Sequence, residues 1–182
     1  MSRLRIYSES DASEPMTETR DHALIAELLG REGVRFERWQ ANAPVIAGAA
    51  QDEVIAAYRS DIDRLMQEKG YQAVDVISLT PEHPQKAELR QKFLNEHRHE
   101  EDEVRFFVAG GGLFTLHLGE RVYEVLCEKG DLIGVPDNTR HWFDMGPDPS
   151  FIAIRVFTNA AGWVANFTGD DIAQRFPRHE NA

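Results

Sequence analysis

Two histidines two positions apart, His97 and His99, lie in the run Asn95-Glu96-His97-Arg98-His99-Glu100-Glu101-Asp102-Glu103, where imidazoles and carboxylates are close enough in sequence to share a metal ion. On a strand, residues i and i+2 face the same side, so both rings point one way; on a helix they would splay. Glu103 lies about 13 Å past His99 along a chain extended at roughly 3.3 Å per residue. The chain must therefore bend across Glu100 to Asp102 to return that carboxylate to the histidines. A fourth donor, His141, closes the run Gly130-Asp-Leu-Ile-Gly-Val-Pro136-Asp-Asn-Thr-Arg-His141, in which a strand ends at the proline and a short loop presents the imidazole. Three imidazole nitrogens and one carboxylate oxygen suit Fe, Ni, Co, Mn or Zn better than Ca or Mg. Zinc usually stops at four ligands in a closed structural site, whereas six-coordinate iron, nickel or manganese keeps two positions for a chelating substrate or oxygen. A lone histidine is more often a surface or hydrogen-bonded core residue, and His22, His83, His117 and His179 are read that way. His97, His99, Glu103 and His141 together are read as a metal site.

Charged residues near these donors extend the reading. Arg105 shares the strand parity of Glu103, so its guanidinium is expected in the same cavity, where a fixed cation favours an anionic substrate. Arg155 interrupts the apolar run Phe151-Ile-Ala-Ile-Arg-Val-Phe157 and needs a partner; substrate contact and a structural salt bridge are evenly matched. Glu96 and Asp102 flank the ligands with the opposite parity, which suits orienting the histidines from behind, with plain solvated acids as the alternative. Phe93, Phe106, Phe107, Trp142 and Phe143 are candidates for an apolar pocket, although aromatics in a small barrel more often simply fill the core. Cys127, between apolar neighbours, is read as packing.

The elements that must hold these groups divide into two textures. The first half is mixed. An alternating segment holds Leu4 and Ile6, a helix carries Leu24, Ile25, Leu28 and Leu29 up to Gly30, and Val34 to Glu37 alternates like a strand. Helical spacing of Val54, Tyr58, Ile62, Leu65 and Met66 predicts one helix from Asp52 to a stop at Gly70. A strand over 74–79 and a helix over 84–95 follow. Beyond residue 103, short β-rich runs at 103–108, 113–118, 121–127, 131–135 and 151–157 alternate with glycine and proline, the pattern of a barrel or sandwich of hairpins. The tail has helix-like pieces near 159–166 and 170–176. Neither half is long enough for a comfortable core of its own, so one domain, 1–182, is expected: a mixed part over about 1–95 and a metal-bearing β core over about 96–158.

Composition bounds the partners. The 182 residues are 42% hydrophobic and 28% charged, with a formal charge of −11 and one cysteine. An acidic surface argues against nucleic acid and anionic membranes, both of which need clustered Lys and Arg. A single cysteine excludes an internal disulfide and suits a reducing compartment. The start MSRLRIYSES lacks the apolar stretch of a signal peptide, and no run approaches a membrane span, so the expected location is the cytoplasm.

At the metal-site residues the sequence resembles the cupin superfamily. His97, His99, Glu103 and Gly110 match its first motif, and Gly130, Pro136 and His141 its second. Asn138 and Met145 stand where many cupins have glycine and asparagine, and the glycine that usually leads into the first motif is absent. These departures fit one branch. GVRFERWQ (33–40), EKGYQAVDVISL (68–79), KFLNEHRHEEDEVRFFVAGGGLF (92–114), VLCEKGDLIGVP (125–136) and HWFDMG (141–146) are similar to bacterial acireductone dioxygenases, nearly end to end. The resemblance implies a β-rich α+β fold, a cupin jelly-roll barrel with helices packed outside, mainly from the N-terminal half. It also implies a monomer binding one Fe(II) or Ni(II), with Co or Mn as substitutes, and acting with O2 on the acireductone 1,2-dihydroxy-3-keto-5-methylthiopentene of methionine salvage. Iron would then give formate and 4-methylthio-2-oxobutanoate; nickel would give formate, carbon monoxide and 3-methylthiopropanoate. The arginine matching Arg105 generates the substrate dianion in that family, and the acids matching Glu96 and Asp102 are linked to metal loading and to relaying conformational change. Two rivals stand beside this reading: a cupin isomerase or dioxygenase of another substrate, and a non-catalytic metal-storing or ligand-sensing cupin.

Overall fold

The computed structural model describes residues 1–180. Twelve strands form two antiparallel sheets. One has the order β12 (Asn166–Phe167), β5 (His97–Arg98), β10 (Arg140–Asp144), β7 (Gly111–Leu118), β8 (Arg121–Glu128), β1 (Arg3–Ser8) and β2 (Thr17–Thr19). The other has the order β3 (Arg35–Arg38), β9 (Asp131–Val135), β6 (Glu103–Ala109), β11 (Phe151–Phe157) and β4 (Ala73–Leu79). Among the described residues four α-helices, α1 (His22–Gly30), α2 (Gln51–Ala57), α3 (Arg59–Lys69) and α4 (Lys86–Leu94), all precede β5.

Strand alternation divides the side chains between faces. Leu4, Ile6, Phe114, Leu116, Val125 and Phe143 from the larger sheet meet Phe107, Ile133, Val135, Phe151 and Ala153 from the smaller one in a single buried core. The smaller sheet is also covered outside, where Val54, Tyr58, Ile62 and Leu65 of the α2–α3 region pack on Val104, Phe106, Val108, Ile152, Ile154 and Val156. This explains why β11 is buried at every position and reads as a nearly continuous apolar run. On the far face of the larger sheet, Tyr7, Val122 and Trp142 are covered by Ile172, Ala173 and Phe176 of the tail.

Several expectations change in detail. The helix expected over 52–70 is two helices, because Tyr58 leaves helical geometry at φ −113° and ψ 23°. Its ring packs edge-on to Phe106 at 5.7 Å and its hydroxyl oxygen accepts the Ala43 amide at 3.2 Å. Gly70 does end the second helix, at φ 67°, a left-handed conformation that costs glycine little. Gly30 lies within α1 rather than after it. The tail holds only short 3-10 turns at 160–163 and 172–174, with β12 between them. Residues 1–95 do not merely pack outside: β1, β3 and β4 pair with β8, β9 and β11.

Two turns aim the metal-site strands. At Gly110, φ is 56° and a Cβ would lie 1.9 Å from the Ser150 carbonyl oxygen, so only glycine fits between β6 and β7. Asn138 adopts φ 57°, within the reach of asparagine. It leads the chain into β10, a strand whose five residues lie outside the β-rich runs read from sequence.

Candidate metal centre

The antiparallel register places His141 of β10 directly opposite His97 of β5. His99 follows on the same face. The three rings lie 4.5 to 5.1 Å apart between centroids, and one ring nitrogen from each falls within 4.8 Å of the others. All three are buried. The chain bends at Glu100 and Glu101, as the spacing requires, and β6 begins at Glu103. Glu103 Oε2 then lies 3.5 Å from His99 Nε2 and 3.7 Å from His141 Nε2. The bend is tied to the loop before β10, since Asn138 N donates to His99 O and Asp137 N to Asp102 Oδ1, each at 2.8 Å.

Each imidazole is oriented through Nδ1, and every partner is a main-chain carbonyl: Asn95 O for His97 at 2.7 Å, Val164 O for His99 at 3.0 Å and Thr139 O for His141 at 2.8 Å. With Nδ1 as donor, the Nε2 lone pair is left for the interior. Glu103 Oε2 and His141 Nε2 are buried with no hydrogen-bond partner. Two such atoms, facing each other and unsatisfied, are costly unless a cation lies between them. The donor set fits a divalent transition ion.

Electrostatics prepares the site for that ion. Burial, reinforced by neighbouring rings, pulls His97 down to about 4 and His141 down to about 3, so both are neutral imidazoles at neutral pH, the form in which a ring nitrogen can bind a metal. Burial alone would push the Glu103 carboxyl up, but Arg105, then His141 and His99, outweigh it and hold the group well below the usual carboxylate range. A pH dependence follows. Below the unfolded histidine pKa of about 6.5 the unfolded chain takes up protons that folded His97 and His141 refuse. Metal-free protein is therefore expected to lose stability as pH falls from about 6.5 toward the two folded values, an effect metal-binding enlarges. Urea midpoints at pH 7 and pH 5 test this; a midpoint that rises on acidification refutes it.

Arg105 is buried beside the ligands, giving Nε and Nη2 to Glu103 Oε1 at 3.1 and 2.9 Å while Nη1 has no partner. Its guanidinium lies among the rings of Phe143 (4.7 Å), Phe114 (5.0 Å) and Phe93 (5.9 Å). Arg155 is the cross-strand neighbour of Arg105 and is held by Asp75 at 2.8 Å, so the structure realises the salt bridge. Glu96 and Asp102 do not meet the histidine rings of the site, contrary to expectation. Opposite parity turns Glu96 through the sheet to His117 Nδ1 at 2.6 Å and Thr168 Oγ1 at 2.8 Å, while Asp102 holds the Asp137 amide. His117, read as either a surface or a hydrogen-bonded core residue, is the latter, bridging Glu96 and Glu9.

Of the five aromatic candidates, Phe93, Phe107 and Phe143 face the inner core, whereas Phe106 and Trp142 belong to the outer layers. Phe114 went unnoticed in the sequence, yet it stacks on His141 at 5.4 Å and 12°. Its parity with Leu116 in the apolar run 113–118 was the available signal.

A family model described as "ARD/ARD' family" matches residues 3–165. The chain belongs to this family. Relatives of this acireductone dioxygenase family member agree. One is "Acireductone dioxygenase" of Stenotrophomonas maltophilia (strain R551-3), 63% identical over 179 residues, covering 98% of this chain and 97% of the relative. Another, of Pseudomonas aeruginosa (strain UCBPP-PA14), is 62% identical over 181 residues and covers 100% of both. A solved structure, "Acireductone dioxygenase from Bacillus anthracis with cadmium ion in active center", superposes with a TM-score of 0.79 at 34% identity, covering 92% of this chain and 98% of that one. As an acireductone dioxygenase family member the chain is an enzyme, a metal-dependent dioxygenase. Among the described residues no helix is long and apolar enough to cross a membrane.

Proposed function

We propose that this enzyme cleaves 1,2-dihydroxy-3-keto-5-methylthiopentene with O2 in methionine salvage, using one Fe(II) or Ni(II) held by His97, His99, Glu103 and His141. With iron the products are formate and 4-methylthio-2-oxobutanoate; with nickel they are formate, carbon monoxide and 3-methylthiopropanoate. Cobalt or manganese can occupy the same donors. The observation that carries the reading is the convergence of unpartnered, buried Glu103 Oε2 and His141 Nε2 beside the unpartnered Nη1 of Arg105.

Once bound, the ion supplies a Lewis acid and template for a chelating enediolate. The protein supplies the rest. Arg105 Nη1 donates to a substrate oxyanion and favours the deprotonated, electron-rich form to which oxygen adds. The Arg105 side chain stays in place because Glu103 Oε1 accepts from its other two nitrogens, Nε and Nη2. Arg155 adds positive potential beside it while Asp75 fixes its direction. Phe93, Phe107, Phe114 and Phe143 keep water from the cavity wall, which strengthens every charge inside.

Glu96 and Asp102 act from outside the cavity. Glu96 anchors the chain just ahead of His97, which supports a role in metal loading. Asp102 fixes the loop that delivers His141, a route for relaying movement between the two motifs. We read the two sheets as a cupin barrel, the chain as one domain that works as a cytoplasmic monomer, and its partners as the acireductone and O2 alone.

The test is anaerobic reconstitution of metal-free protein with Fe(II) and, separately, Ni(II), followed by acireductone and oxygen. Formate with the keto acid from iron, and carbon monoxide from nickel, is the expected result. No oxygen uptake with either ion overturns the proposal and leaves a metal-binding or isomerase role.

A further inference from the structure

We propose that Gly112 is a positioning residue for Arg105: its missing side chain lets the Phe143 ring lie against the β7 backbone, and that ring fixes the guanidinium over the cavity. This rests on the reading of Arg105 as the partner of the substrate anion. Gly112 lies opposite Cys127 and shares the inner face of β7 with Phe114 and Leu116. It is not among the glycines with positive φ, so its backbone would accept any residue; the requirement is for space.

A Cβ at position 112 would lie 2.4 Å from Cζ and 2.5 Å from Cε2 of Phe143. Carbon atoms in contact prefer about 3.5–4.0 Å, so the ring must move. Four other rings surround it, Phe151 at 5.7 Å, Phe107 and Phe114 at 6.1 Å and Phe93 at 6.4 Å. Arg105 lies nearer than any of them, with Cζ at 4.7 Å. In an interior this closely packed a displacement is passed on rather than absorbed. An added methyl group at 112 is therefore transmitted through Phe143 to the guanidinium fork on Glu103.

The test pairs Gly112→Ala with Phe143→Leu, each alone and combined, in metal-loaded enzyme. Gly112→Ala is expected to keep its metal and lower kcat/KM by about 10- to 100-fold, the scale of an ångström's misplacement of a reacting group. In cadmium-loaded, diamagnetic protein the ring-shifted Arg105 Nε–H resonance should move with it. In the Phe143→Leu background, where space exists, Gly112→Ala should change kcat/KM by no more than about 2- to 3-fold. Equal losses in both backgrounds, or an unmoved Arg105 resonance in Gly112→Ala, overturn the proposal. Full turnover by Arg105→Ala would instead refute the reading of Arg105, while the resonance still reports whether Gly112 governs its position. Should Gly112→Ala not fold, Phe143→Leu decides: the Arg105 Nε–H should lose its ring shift and exchange faster, and an unchanged signal overturns the proposal.

Discussion

His141→Ala protein is expected to retain no stoichiometric metal and to lose more than about 10²-fold in turnover, beyond the 10- to 100-fold that loss of an outer partner of a metal ligand costs. His141 is the one donor outside the run from His97 to Glu103, and it closes the site by pairing across the sheet with His97. Its Nε2 faces Glu103 Oε2 at 3.7 Å, so removing it deletes one of the groups between which a cation is stabilised. Phe114, stacked on the imidazole, would then border a cavity rather than a ligand. Metal analysis after reconstitution, with oxygen uptake on the same sample, measures both effects. Stoichiometric metal together with full turnover in His141→Ala would remove the site.

The second large effect is on Arg105. Truncating one partner of a buried ion pair leaves the other charge uncompensated, at a cost of about 3–5 kcal/mol. Metal-free Arg105→Ala is expected to show a loss of that size in urea unfolding, seen as a lower midpoint at unchanged slope. Adding metal should reduce the difference, because the ion takes over part of the compensation of Glu103. Turnover should stay low in the metal-loaded variant, and Arg105→Lys should restore little of it, since the single nitrogen of an ammonium cannot span Glu103 Oε1 and the substrate as the separate nitrogens of the planar guanidinium do. Equal destabilisation with and without metal would show that the arginine serves packing alone.

The facing of His97, His99 and Glu103 was legible in the sequence because that information is local, and His141 was legible through the run from Gly130 that presents it. Strand parity fixes where His97, His99, Glu103 and Arg105 face, and the His99-to-Glu103 spacing demands a bend that the chain makes at Glu100 and Glu101. The partners of Glu96 were not legible. His117 is 21 positions away and Thr168 72, and only the order of strands in the sheet brings them together. The break at Tyr58 was hidden for a related reason: Val54, Tyr58, Ile62 and Leu65 all pack on one sheet, so apolar spacing runs through the break unchanged. β10 escaped because His141 to Asp144 are all buried, polar and apolar alike, so no alternation marks the strand. Arg155 looked ambiguous because its partner, Asp75, comes from a strand 80 positions earlier.

The three main-chain carbonyls behind the histidines have an evolutionary consequence. Where a carboxylate side chain orients a metal-bound imidazole, a single codon change alters the basicity of the ligand and with it the preference for one ion. Asn95, Thr139 and Val164 contribute only their peptide oxygens, and every amino acid carries one. Substitutions at these three positions leave the acceptors in place so long as the backbone keeps its path. Point mutation therefore has little purchase on the electronic character of this candidate centre from behind, and drift can rewrite the surrounding side chains while the same three nitrogens stay grouped for an ion.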